Sequence, residues 1–220
     1  MALTKYNFNS FDVTSAASKA LGFNSSANGF ATIGSGSMTL IKTLTASSSS
    51  NLQFVNGSSD VVFDSTYPVY LFKCIGLHPS ASAPAFNFQV DTGTNTSYNQ
   101  TVTTSNFRAY HYENASGAGV GYKSSDDLAQ SSSNVLLIDG VGDSNDACTS
   151  GHVYLFNPSS TTFVKHFMAN FMDDYDSSIA NHYFTAGYFN TTTALTRVQF
   201  KMSSGNIDAG TIKLYGIKDS

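Results

Sequence analysis

Hydrophobic and polar positions alternate with a period of two over much of this chain, which is the signature of half-buried strands. From Ala85 to Asp91, Phe86, Phe88 and Val90 fall on one face and Asn87, Gln89 and Asp91 on the other. From Leu195 to Met202, Val198, Phe200 and Met202 point one way and Arg197, Gln199 and Lys201 the other. Ser203-Ser-Gly-Asn206 then turns the chain, and Thr211–Ile217 follows with Ile212 and Leu214 inward, a pattern that predicts a hairpin.

Further strands are predicted at Val61–Phe63, Tyr67–Leu77, Thr101–Thr104, Asn106–Tyr112, Asn134–Ile138, His152–Phe156 and Tyr183–Phe189. Ser35–Leu44 alternates weakly, and Ala46–Ser50 reads as a polar loop. In Thr162–Met172, Phe163, Phe167 and Phe171 share a face with Lys165 and Ala169. Their spacing also suits a helix, but the β-branched opening favours a strand. Gly117-Ala-Gly-Val-Gly121 reads as a flexible turn. Val13–Leu21 fits a short helix, with Asp12 and Gly22 as caps, and fits a loop equally.

About ten or more short strands separated by polar turns predict an all-β fold, a jelly-roll β-sandwich of two antiparallel sheets. Residues 1–220 then form one domain, with 1–35 as an N-terminal extension. Composition strengthens the β reading. Charged residues make up 12% of the chain and Glu113 is its one glutamate, whereas Thr, Tyr, Phe and Val are plentiful.

A net charge of −4 with scattered Lys and Arg predicts no nucleic-acid partner. No apolar run reaches membrane-span length. The N-terminus lacks the basic and apolar regions of a signal peptide, so synthesis in a cytoplasm is expected. There Cys74 and Cys148 would stay free thiols. The six Asn-x-Ser/Thr sequons, at Asn24, Asn56, Asn95, Asn99, Asn114 and Asn190, then carry no meaning.

Candidate chemistry is sparse. Glycan hydrolysis wants two carboxylates flanking the bond. Glu113 stands alone beside a turn, and the aspartates fall in polar loops. Asp139, Asp143 and Asp146 share one loop and Asp173, Asp174 and Asp176 another, but neither has the spacing of the twelve-residue calcium loop. His78, His111, His152, His166 and His182 are far apart and match no zinc pattern. No G-x-S-x-G elbow occurs, and Gly117-x-Gly-x-Gly121 precedes no helix that could hold a phosphate. Arg108 and Arg197 are the two arginines a catalytic groove could use. Tyr98, Tyr110, Tyr112, Tyr122, Tyr175, Tyr183 and Tyr188 could stack sugars or pack a subunit interface. The residues assign no catalytic, cofactor or metal site, and the chain is read as a binding or assembling protein without enzyme activity.

The ending, Ser203-Ser-Gly-Asn-Ile-Asp-Ala-Gly-Thr-Ile-Lys-Leu-Tyr-Gly-Ile217, resembles the C-terminus of virion structural proteins from tailed phages of marine bacteria, cyanophages especially. Tyr67-Pro-Val-Tyr-Leu-Phe-Lys73 and Gly151-His-Val-Tyr-Leu-Phe-Asn-Pro158 fit the same pattern, and the likeness covers about a third of the chain. It implies a sandwich similar to concanavalin A-like lectins and glucanases. The glucanase signature Glu-x-Asp-x-x-Glu is absent, so no activity and no site residue carries over. The resemblance implies a virion protein in capsid decoration, tail or tail fibre, assembled in the host cytoplasm. Its expected partners are its own copies and other virion proteins. The alternative is a tail-fibre module that binds host-surface glycan, and a polysaccharide-degrading enzyme ranks last.

Overall fold

The computed structural model describes residues 20–23, 30–33, 37–174 and 178–219. The chain divides into two units, Met1–Thr39 and Leu40–Ser220. In the first, β1 (Ala20–Phe23) pairs antiparallel with β2 (Phe30–Ile33), Ala20 opposite Ile33. Ala20 and Leu21 thus belong to a strand, and the rest of the Val13–Leu21 stretch lies outside the described residues.

The second unit is a sandwich of two antiparallel sheets. Its larger sheet draws on β3 (Met38–Thr45), β5 (Val69–Pro79), β7 (Val102–Tyr112) and β8 (Ala118–Tyr122). It is completed by β10 (Thr149–Phe156), β11 (Lys165–Asp173), β12 (Ile179–Phe189) and β14 (Ile207–Ile217). Their order across the sheet is β3-β14-β5-β10-β11-β12-β7-β8. The smaller sheet runs β4 (Leu52–Val55), β13 (Leu195–Met202), β6 (Phe86–Thr92) and β9 (Val135–Ile138).

Phenylalanines from the two inner faces meet edge-on in the core. Phe54 of β4 lies 5.2 Å from Phe72 of β5, and Phe88 of β6 lies 5.0 Å from Phe167 of β11. Phe86 and Phe171 are 5.6 Å apart across the same gap. Each such pair adds about 1 kcal/mol beyond its buried area.

Four expectations need correcting. Strands β13 and β14 are consecutive but form no hairpin: β13 pairs with β4 and β6, whereas β14 lies between β3 and β5. Ser203-Ser-Gly-Asn206 carries the chain from one sheet to the other. Gly205 adopts φ 68°, the Ser203 amide donates to the Ala85 carbonyl, and the Ser80 amide donates to the Asn206 carbonyl. Alternation on two facing sheets looks the same as alternation within one hairpin.

Val61–Phe63 is a loop, not a strand. Val61 and Phe63 plug the core, and the Phe63 amide donates to Asn56 Oδ1 at 2.8 Å instead of to a neighbouring strand. The expected flexible turn at Gly117–Gly121 instead enters β8 (Ala118–Tyr122), paired to β7 with Ala118 opposite His111. Phe163 does not share the inner face of β11. It lies before the strand begins and is 70% exposed. Lys165 does face inward and is fully buried; its ammonium donates to the carbonyls of Phe163 and Thr191.

The second face of β6 is also covered. Gln89 and Asp91 are fully buried beneath the loop that follows the strand. Gln89 donates to the carbonyls of Gln100 and Ser133, while Asp91 accepts from the Tyr98 amide and the side chains of Asn95 and Gln100. Buried polar groups need such partners.

Candidate functional site

The smaller sheet packs against the inner side of the larger sheet, and among the described residues no further layer covers the other face. Alternation decides what stands there. In β10, Val153 and Leu155 are fully buried, so His152, Tyr154 and Phe156 project outward. In β11, Phe167, Ala169 and Phe171 face the core, and His166, Met168, Asn170 and Met172 project outward. In β12, Tyr183 and Thr185 are buried, and His182, Phe184 and Tyr188 take the outer positions.

Register then joins these residues into rows. His152 stands opposite Asn170, Asn170 opposite Phe184, Phe184 opposite Phe107, and Phe107 opposite Tyr122. Phe107 and Phe184 stack at 4.6 Å, with His182 4.2 Å from Phe184. His182 Nε2 lies 2.7 Å from Asn170 Oδ1. On the β8 side the face is apolar and open, with Val120 76% and both Tyr122 and Met168 58% exposed.

On the β5 side it is polar. Lys213 of β14 stands opposite Lys73 of β5, which stands opposite His152. A shallow depression of about 650 Å³ lies here, lined by Leu71, Lys73, Ser150, His152, Tyr154 and Asn170 among others. Burial, and then the Lys73 charge, hold the His152 imidazole below its usual pKa; burial does the same for His182. The His152 ring meets Tyr154 edge-on at 5.1 Å.

The acidic loops, read separately in sequence, meet in space. Glu113, Asp146, Asp173 and Asp174 line one depression of about 390 Å³ together with Cys148 and Met172. Among the described residues no group of three or more His, Cys, Asp or Glu side chains is placed to hold a metal. Asp139 and Asp143 do not line that depression, and Asp176 lies outside the described residues. Both cysteines are free thiols. Burial pushes the Cys74 thiol far above its usual pKa, and partial burial with Asp174 and Asp173 raises that of Cys148.

The remaining candidates scatter. Tyr98 is buried and donates to Gln53 Oε1 at 2.8 Å; Tyr183 is buried and points at Asp126, its phenol pKa raised first by burial. Arg108 donates to Asn181 Oδ1 and lies 4.9 Å from the centre of the Tyr110 ring, which in turn packs edge-on against Tyr112. Arg197 stands opposite Asp91 in the smaller sheet. The two arginines therefore belong to different sheets. Tyr175 lies outside the described residues. His78 lies 3.9 Å from Asp208, and His111 is exposed on the outer face of β7.

Sequence reading missed Tyr154, Phe156, Met168 and Phe184, and did not place His152, His166 and His182 on one face. A signal was present: each histidine sits one position from an inward apolar or aromatic residue on its strand, so all three had to share the opposite face. No family model, no curated protein and no solved structure matches this chain. Among the described residues no helix is long and apolar enough to cross a membrane.

Proposed function

We propose that this protein is a virion structural subunit of a tailed phage, a jelly roll in capsid decoration, tail or fibre, that assembles with further copies of itself. The observation that carries the assembly reading is the β8 side of the outer face. Phe107, Val120, Tyr122 and Met168 are exposed there, and no outward position of β11, β12, β7 or β8 holds a Lys, Arg, Asp or Glu. Interface centres are depleted in charge and enriched in aromatics and Met.

The edge itself adds to this. β8 ends the sheet, is solvent-exposed over most of its length and carries neither a charge nor a proline within its five residues. Such an edge offers unpaired backbone groups to a further strand. The resemblance of the C-terminal segment to phage virion proteins supplies the assignment to a virion, and the low charge density fits broad, hydrogen-bonded subunit contacts.

Light scattering on the purified chain tests this, alone and mixed with capsids and tails of marine phages. The expected result is a closed oligomer that also associates with particles. Val120→Lys should reduce it to monomer with an unchanged circular dichroism spectrum, because an unpaired charge would enter the interface. A wild-type monomer that ignores both particles would overturn the proposal.

A further inference from the structure

The opposite side of the same face differs in kind. Lys213, Lys73 and His152 stand side by side across β14, β5 and β10. Like charges directly opposite one another destabilise a sheet. No Asp or Glu occupies an outward position of β5, β10, β11, β12 or β7; Asp208 of β14 faces His78, and Glu113, Asp146, Asp173 and Asp174 line the separate depression beyond Ser150 and Met172. In a chain of net charge −4 with few and scattered cations, two lysines set side by side on one face stand out.

Beside the lysines lies the depression with Leu71, Tyr154 and Met172 as apolar surface. Polar groups with spare capacity flank it. Ser150 Oγ accepts the Gly76 amide at 2.9 Å, which leaves its own proton to donate. Asn170 uses its Oδ1 toward His182, which leaves its amide protons. Cations, an aromatic ring and hydroxyl- or amide-type donors around an open, shallow trough match a sugar chain that carries acid groups. A nucleic acid would need more cations than two lysines to neutralise its phosphates.

We infer that the β14–β5–β10 side of the outer face binds an acidic polysaccharide, with Lys73 and Lys213 holding its carboxylates or sulfates and Tyr154 stacking on a ring. The site meets the proposed assembly surface at β11, where Met168 stands opposite Tyr154, while its two lysines lie on β5 and β14, away from the β8 edge.

Binding is measured by calorimetry with a polyuronate, a sulfated glucan and an uncharged glucan. The expected result is binding to an acidic polymer, weakening with added salt, and none to the uncharged one. Preference between the two acidic polymers identifies the acid group. Lys73→Ala with Lys213→Ala should weaken binding about tenfold. The same pair should leave the melting temperature equal or higher, because it removes a repulsion. Tyr154→Ala should weaken binding with the lysines intact. Equal loss from Lys201→Ala, on the other sheet, would reduce the effect to net charge and overturn the site. Failure of both acidic polymers, or equal binding of the uncharged one, would also overturn it. Light scattering on the same variants separates this outcome from a failure of assembly, since their mass should match the wild type.

Discussion

His152 and His182 link the chemistry of single residues to the stability of the fold. Both imidazoles are held below the usual histidine pKa by burial, His152 also by Lys73. The unfolded chain therefore binds more protons than the native one between the two pKa values, and stability rises with pH across that window. On acidification from about pH 7 to about pH 5.5, near the ordinary histidine range, the native state should lose stability. His152→Gln with His182→Gln should lose less over the same interval, measured as the change in melting temperature. Identical pH dependence in the variant would refute the assignment. The positions were legible from residue parity alone, but their lowered pKa values were not. Those come from burial of the rings among strands distant in sequence and, for His152, from Lys73 of β5 as well. Asp91 shows the same limit: its place on β6 was read correctly, and the loop that covers it left no periodic mark.

At the scale of the element, strand spacing depends on a few residues without side chains. Gly187 sits mid-strand in β12 on the inner face. A methyl group there would collide with the Thr103 carbonyl oxygen and lie 3.0 Å from Phe167 Cζ and Thr104 Cγ2. Neither a ladder carbonyl nor a packed ring can yield easily, so Gly187→Ala should cost about 2 kcal/mol. The cost is read as a lower urea midpoint at unchanged slope. Gly121→Ala serves as the contrast, since nothing lies within 4 Å of its added carbon and it should be near neutral. A Gly187→Ala midpoint equal to wild type would show that β7 and β12 can separate freely. Elements themselves were well predicted where alternation was long, as in β6, β13 and β14. The sequence misled where one strand was short and glycine-rich, as in β8. It also misled where a turn joined two sheets, because pattern records facing and not pairing.

At the scale of the molecule, the last strand holds the larger sheet together. β14 lies between β3 and β5, and it places Ile207, Ile212 and Leu214 in the core, all fully buried. Burying each such side chain contributes about 2 kcal/mol, so their loss approaches the whole stability of a typical domain. Removal of β14 also strips hydrogen-bond partners from both neighbours, leaving β5 with an open edge. A chain ending at Ser203 should therefore show no cooperative thermal transition, whereas the full chain should show one. The place of β14 between β3 and β5 further implies that the large sheet cannot close before β14 is available, and such non-local pairing folds slowly. A synthetic peptide of residues 204–220 added to the truncated chain should restore the transition, because the missing strand binds where two edges await it. A truncated chain that melts cooperatively without the peptide would mean that β5 and the strands beyond it form an independent sheet. The C-terminal segment would then be an attachment and not a keystone.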